Sequence, residues 1–472
     1  MIVGVWEELV RLAGMGRGSQ RLPHGSLADA LADPRRYRAQ IDRLQRRHQF
    51  DGGLNRLTQD GVSLASLVMH RNSGARKLAR AVASGTYHLQ PAIARVLRVE
   101  GKKRTVFAYP LLDLVVHGVV ADLLTEAMAP TLSEHLYSYR AGVSWARGMS
   151  AFARYVRQHR RAHPDPRTRG LYVLRRDIAS YTDSIPVDER SRLWEQIAGI
   201  LSEPEQLGRV LDPSPRDDTS WRLLREVVRP HIRERGGRVK TRSRGVPTGQ
   251  PISCVAFNLY LRDLDHELAR VPGAFVARYS DDLIIAHADP DVARRLSHLL
   301  DERLAELGLM FNTEKSRDLY FTGAGRPSPE WPEARGTTSV EFLGMRIGMD
   351  GAVALGGNKV RELLRDARRR AQNTARALCG QGEAERGRAT VAVVNALLDA
   401  DSPHLRGSVA LLLAGMVTDR QQLDWLDHQL ARIVAGAVSG DHRAAAFRRI
   451  PYRRLRDDWG LVSLRFRRDQ WK

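Results

Sequence analysis

Asp281 and Asp282 stand side by side in RYSDDLIIAH (278–287), between the apolar runs FVARY (275–279) and LIIA (283–286). Strands disfavour aspartate, and neighbouring carboxylates repel, so the pair needs a reason. Serine and aspartate are turn residues, and Ser280-Asp281-Asp282 could serve only to join two strands. The flanks read as a β-hairpin with the carboxylates at its tip. Carboxylates at such a tip stay partly hydrated and suit a hard divalent cation, which takes oxygen ligands. A second carboxylate segment is RRDIASYTDS (175–184), where Asp177 ends the apolar strand begun by LYVL (171–174). Carboxylates from two segments can surround a pair of Mg²⁺ ions about 3.5–4 Å apart, which clamp the attacking and leaving oxygens of a phosphoryl displacement.

The rest of the chain must position these groups and meet their partner. It has 472 residues, 43% of them hydrophobic, enough for two to four domains or one large multi-lobed core. A net charge of +21 favours a polyanion, most simply nucleic acid, over small neutral substrates. The alternative is an arginine-rich surface that is merely solvated. Cys254 and Cys379 are too few and too far apart for a disulfide framework or a cysteine-rich zinc site, and they fit a reducing compartment. MIVGVWEELV carries Glu7 and Glu8 where a signal peptide wants lysine, and no apolar stretch reaches about 18 residues. The expectation is a soluble cytoplasmic protein with no membrane contact.

Residues 1–100 read as helical and basic; DPRRYRAQIDRLQRRHQF (33–50) is a solvated helix face or an RNA contact. GKKRTVFAYP (101–110) reads as a basic turn leading into a strand, and LLDLVVHGVVADLLTEAMAP (111–130) as a buried helix stopped by Pro130. The glycine-bearing basic loop RERGGRVKTRSRGVPTGQP (233–251) opens a helix over ISCVAFNLYLRDLDHEL (252–268). Gly245 and Gly249 lack Cβ and let backbone approach a nucleotide closely. An amphipathic helix follows over 291–309, then MFNTEKS (310–316), then VEFLGMRIG (340–348) as a short strand near a turn. From about residue 358 onward only helices are expected.

The order of these segments resembles the palm of reverse transcriptases, in particular the bacterial group II intron, retron and phage-defence kinds. DIASYTDSI (177–185) is similar to their first catalytic motif, YSDD (279–282) to the aromatic-x-Asp-Asp box, and GVPTGQPIS (245–253) to the loop that cradles primer terminus and nucleotide. LGLMFNTEKS (307–316) resembles the next motif, FLG (342–344) the primer grip, GKKRTVFAYP the fingers strand, and LYSYRAGVS (136–144) a segment found before the palm. The likeness spans roughly residues 85–350.

The resemblance implies roles. Asp177, Asp281 and Asp282 are the catalytic carboxylates, and with Ile178 they form the metal site for two Mg²⁺, with Mn²⁺ as a substitute ion. Asp183 is secondary. Nucleotide binding falls to Arg104, with Lys102 and Lys103 as rivals, and to Tyr181, Thr182, Thr248, Gly249 and Lys315, the last approaching the leaving pyrophosphate. Phe342, Leu343 and Gly344 are the primer grip. Two positions depart from the pattern. Thr248 stands where glutamine is usual before the second glycine, and Thr182 stands where the family has a bulky aromatic that excludes a ribose 2′-hydroxyl; Tyr181 precedes it and could swing in.

The implied fold is α+β, a right-hand polymerase with fingers and an antiparallel palm sheet between helical N- and C-terminal regions. The expected division is a basic helical region over 1–84, fingers over 85–170, a palm over 171–350 with an interleaved fingers segment at about 190–245, and a thumb-like helical region over 351–472. The implied activity is RNA-directed DNA synthesis from dNTPs. The partners are template RNA, a dedicated non-coding RNA in anti-phage defence, and the DNA product, with homo-oligomerisation open. The alternatives are an RNA-binding maturase or splicing-type cofactor on the same fold, and a polymerase accepting ribonucleotides.

Overall fold

LYVL and LIIA have no polar alternation, the pattern of strands covered on both faces. They form the centre of a five-stranded sheet. Its strands are β3 (Leu171–Asp177), β6 (Phe275–Tyr279), β7 (Asp282–His287), β8 (Arg317–Phe321) and β9 (Arg335–Thr337), in the order β6-β7-β3-β8-β9. All pairs are antiparallel except β8 with β9. The computed structural model describes residues 27–48, 61–99, 102–165, 169–202, 218–234, 236–399, 409–441 and 445–466, without the side chains of 97–99, 102–104, 202 and 218.

The strand period of two divides the sheet's side chains between two cores. Tyr172, Leu174, Val276, Leu283 and Ile285 join one, built on helices α1 (Leu111–Met128), α3 (Pro251–Tyr260) and α4 (Pro290–Glu306). Leu171, Val173, Ala277, Ile284 and Ala286 join the other, built on α2 (Trp145–Ala162), α5 (Gly357–Ala377), α6 (Glu383–Asn395) and α7 (Arg420–Ser439). The second core also receives the hairpin of β10 (Ser339–Phe342) and β11 (Met345–Gly348), extended by β12 (Val353–Leu355). A four-stranded sheet, β2-β1-β4-β5, stands apart; it consists of β1 (Ala92–Val99), β2 (Lys102–Ala108), β4 (His231–Arg233) and β5 (Val239–Thr241).

The α+β expectation holds, with an antiparallel central sheet and helices on either side of it in sequence. Two local readings change. The segment 252–268 is not one helix: Leu261 (φ −103°, ψ 6°) ends α3, and a second helix, Arg262–Ala269, starts after it. VEFLGMRIG is two strands, because Leu343 and Gly344 both take left-handed φ (49° and 73°) and close a tight hairpin. Among the described residues no helix is long and apolar enough to cross a membrane. The residues of MIVGVWEELV lie outside the described set.

Candidate active site

Register puts the carboxylates together. Asp177 is the last residue of β3 and Asp282 the first of β7, and the two are direct partners across the ladder. Opposed residues project to the same face with Cβ atoms about 4.5–5.5 Å apart, and like charges there destabilise a sheet. Asp281 sits on the β6–β7 turn, and its carbonyl accepts from the amide of Ile178 at 3.1 Å. Ile178 itself is buried, and it meets Asp281 through backbone.

Positive charge answers the cluster. Lys315 Nζ donates to both oxygens of Asp177, at 2.9 and 2.8 Å. The 310–316 segment is held to β3 by backbone: Ala179 N donates to Met310 O at 2.9 Å and Asn312 N to Asp177 O at 2.7 Å. Arg175 Nε is 4.0 Å from Asp282 Oδ1, too far for a hydrogen bond. That oxygen is buried with no hydrogen-bond partner. Burial first, then the charges of Asp281 and Asp177, push the Asp282 pKa up to about 7 against Arg175 and Lys315.

The glycine-bearing loop packs on the segment that follows Asp177. Val246 N donates to Thr182 O at 2.9 Å, and Gly245 N to Ile185 O at 2.8 Å. Thr248 Oγ1 donates to Thr105 O at 3.0 Å, which seats the loop against β2. Gly249 has φ +94° and open space where a Cβ would stand. Arg242 pairs with Asp183 at 3.1 Å and lies over the Phe107 ring. Asp183 is therefore a surface ion-pair partner of this loop, apart from the opposed carboxylates. Lys102, Lys103 and Arg104 lie on β2 beside Thr105; their side chains are outside the described set.

Two sequence expectations change. Tyr181 is core: its ring is buried against Phe257, and its hydroxyl donates to Phe257 O at 2.7 Å. The ring is enclosed by the core, whereas the smaller Thr182 beside it is half-buried. Phe342 and Leu343 are likewise buried in the second core, so the 342–344 turn offers backbone rather than side chains.

The sequence reading passed over the groups beneath the turn. Arg278 is 1% exposed, with Nε and Nη2 on the two oxygens of Asp265 at 2.7 and 2.6 Å. Burial pulls the arginine's pKa down, and the Asp265 carboxylate more than offsets it. The available signal was a charged residue inside the otherwise apolar FVARY, which a buried strand keeps only with a partner.

The reverse transcriptase (RNA-dependent DNA polymerase) family matches residues 100–347, more than half of the chain. No curated protein matches. Among solved structures the chain is similar to telomerase from Candida albicans bound to a TWJ fragment of telomeric RNA, at 10% identity over 77% of this chain and 62% of that one, with a TM-score of 0.41. It is also similar to apo telomerase from Candida tropicalis, at 13% identity over 98% of this chain and 84% of that one, with a TM-score of 0.42. The chain thus spans less than two thirds of the first of these telomerases. The chain belongs to the reverse transcriptase (RNA-dependent DNA polymerase) family.

Proposed function

We propose that this protein is an RNA-associated reverse transcriptase that synthesises DNA from dNTPs by nucleotidyl transfer, with Asp177, Asp281 and Asp282 as its catalytic carboxylates. The observation that carries the reading is the opposition of Asp177 and Asp282 across the β3–β7 ladder, with Asp281 adjacent. Such repulsion is a cost that a cation removes.

Among the described residues no three His, Cys, Asp or Glu side chains stand close enough, as placed, to hold a metal ion. The donor set nevertheless suits Mg²⁺, with Mn²⁺ as a substitute: all three are hard oxygen donors, and Asp282 Oδ1 is buried without a partner. Asp177, Asp281, Asp282 and the backbone of Ile178 would hold the ions. Held there, such ions would supply activation of the primer 3′-hydroxyl and neutralisation of the triphosphate.

The chain's own groups do the rest. Lys315 lies on Asp177; released from it, its ammonium supplies a proton or charge to the departing pyrophosphate. The loop through Thr248 and Gly249 gives backbone to the incoming nucleotide, and Arg104, with Lys102, gives charge to its phosphates. The 342–344 turn presents backbone to the primer end. In this reading residues 1–84 form a basic region whose described elements are helices, residues 85–170 and about 190–245 are fingers, 171–350 are palm, and 351–472 form a thumb-like region.

RNA is the partner that the charge of +21 favours. On α5 the inner stripe is Leu363, Ala367, Ala371 and Ala375, while Arg361, Arg365, Arg368 and Arg376 are exposed, a face suited to phosphates. In this reading the arginine-faced helical region after the palm binds the RNA, which is a dedicated non-coding RNA, and the protein acts in anti-phage defence. The test is to sequence the nucleic acid that co-purifies with the protein before and after incubation with dNTPs. An RNA with a newly made DNA complement is expected. RNA without any complement, under any divalent metal, makes the protein a splicing-type binding cofactor instead.

Thr182 favours a second reading, a polymerase that also accepts ribonucleotides. A half-buried threonine leaves room that an aromatic ring would fill. Thr182→Phe is expected to raise preference for a dNTP over its rNTP by about 10- to 200-fold in competitive incorporation. Equal, strong preference before and after the change rules this reading out.

A further inference from the structure

LYSYRAGVS (136–144) has no part in the mechanism above, yet it packs directly on the strand that leads to Asp281. Arg278 N donates to His135 O at 2.9 Å, and Tyr137 N donates to Arg278 O at 2.8 Å. The next contact falls on Ser280, the residue before Asp281. Ser280 has φ +57°, a left-handed conformation disfavoured for any residue with a Cβ. Both of its backbone polar groups are held by side chains, one from a distant segment and one from two residues before it. Its amide donates to Ser138 Oγ at 3.0 Å, and its carbonyl accepts from Arg278 Nη1 at 3.0 Å.

Those holders are themselves fixed. Ser138 Oγ donates to Asn258 Oδ1 at 3.1 Å, and Asn258 Nδ2 donates back to Ser138 O at 2.9 Å. Ser138 and Asn258 are fully buried, each at 0% exposure. Arg278 is clamped by Asp265 and also donates to Asn258 O at 3.3 Å. Asp265 meets it from a separate helix, the one that starts after the break at Leu261. A buried ion pair is weak evidence for stability, since well-packed apolar residues often serve as well. Its use here is geometric: it ends on the carbonyl of one strained residue.

We propose that Ser138, Asn258, Arg278 and Asp265 are positioning residues: together they lock Ser280 in its left-handed conformation and so fix where the Asp281 carboxylate stands. The inference rests on the reading of Asp281 as a catalytic carboxylate. From Asp281 the link continues through its carbonyl to Ile178 N, so the same lock sets the turn against the strand that carries Asp177.

The test uses the full chain and the variant Ser138→Ala, which leaves the Ser280 amide without its acceptor. Three quantities are measured: single-turnover dNTP incorporation, affinity for primer–template, and Mn²⁺ affinity of the protein free of nucleic acid. Misplacement by a fraction of an ångström to 1 Å is expected to slow incorporation by about 10- to 100-fold. Mn²⁺ binding weakens several-fold, while primer–template affinity stays near wild type and the protein, though it melts somewhat lower because a buried amide is left unpaired, stays folded at the assay temperature. Adding Ser280→Gly to Ser138→Ala is expected to recover part of the rate, because glycine takes the left-handed conformation unaided. Should Ser138→Ala not fold, Asn258→Ala carries the same test with the same readouts. Unchanged incorporation and Mn²⁺ affinity overturn the proposal, and so does a loss of rate that only tracks the folded fraction. Asp281→Ala separates the two claims. If it remains active, the reading of the site fails; if it is inactive while Ser138→Ala and Asn258→Ala match wild type, the lock alone fails.

Discussion

Beneath the Ser280 turn and at the start of α1, the interior buries polar side chains in two different ways. Under the turn, Arg278, Asp265, Ser138 and Asn258 satisfy one another and the backbone of Ser280. On α1, which packs against the helix carrying Asn258, His117 is fully buried with neither ring nitrogen bonded. Its ring lies 4.7 Å from that of Tyr109, whose hydroxyl is buried and also unpartnered. The first region keeps full charges by pairing them; the second avoids charge, since burial lowers the His117 pKa to about 3. A paired network fixes atoms in one arrangement, whereas a neutral, unbonded ring only fills space. Substitutions should therefore cost activity near the turn and touch only stability at His117.

The largest effect is expected at the carboxylates. Asp177→Asn keeps the shape of the strand end and removes a charge from an opposed pair. Incorporation should fall by on the order of 10³–10⁴-fold with primer–template affinity retained. Measured by single-turnover extension, a fall of less than about tenfold would break the first half of the comparison. Lys315→Ala comes next, with about 10²-fold slower chemistry and a small change in binding, read from the rate of pyrophosphate release.

Arg278→Met sharpens the contrast from the stability side. Removing one member strands the Asp265 charge in the interior, at a cost of about 3–5 kcal/mol in denaturant unfolding. The double change Arg278→Met with Asp265→Leu should recover much of that stability without recovering the incorporation rate. Recovery of both would mean that the pair fills space as His117 does.

The smallest effect belongs to His117. Its folded pKa is depressed, so it is neutral in the native protein and titrates near 6.5 when unfolded. As pH falls from about 6.5 toward about 3, the unfolded chain binds a proton that the native one does not, and stability drops by up to about 1.4 kcal/mol per pH unit. His117→Leu should flatten the melting temperature between pH 7.5 and pH 5 and leave incorporation unchanged; an equally steep profile in the variant would place the titrating group elsewhere.

Much of the architecture was legible because the strands next to the carboxylates are wholly apolar. LYVL, FVARY and LIIA allow few readings other than buried strands, and Asp-Asp between two of them forces a turn. What local pattern could not supply was pairing at a distance. Nothing in the sequence near Asp177 says that Asp282, over a hundred residues on, is its ladder partner, or that β1 pairs in parallel with β4. Backbone conformation was equally hidden. Ser180, Ser280 and Leu343 take positive φ without glycine, because tertiary contacts override local preference. Tyr181 was misjudged because aromatic side chains serve core and ligand alike, and the choice depends on Phe257, a residue of another element.

The most direct measurement is single-turnover incorporation of one labelled dNTP onto a primed RNA template with Mg²⁺, comparing wild type with Asp281→Asn. Primer–template binding is measured in parallel for both proteins. Wild type is expected to add the nucleotide, and Asp281→Asn to bind the same substrate with near-equal affinity yet add it on the order of 10³-fold more slowly. Equal rates in the two proteins, or loss of binding and rate together, would contradict the assignment of chemistry to the carboxylates at the end of β3 and the start of β7.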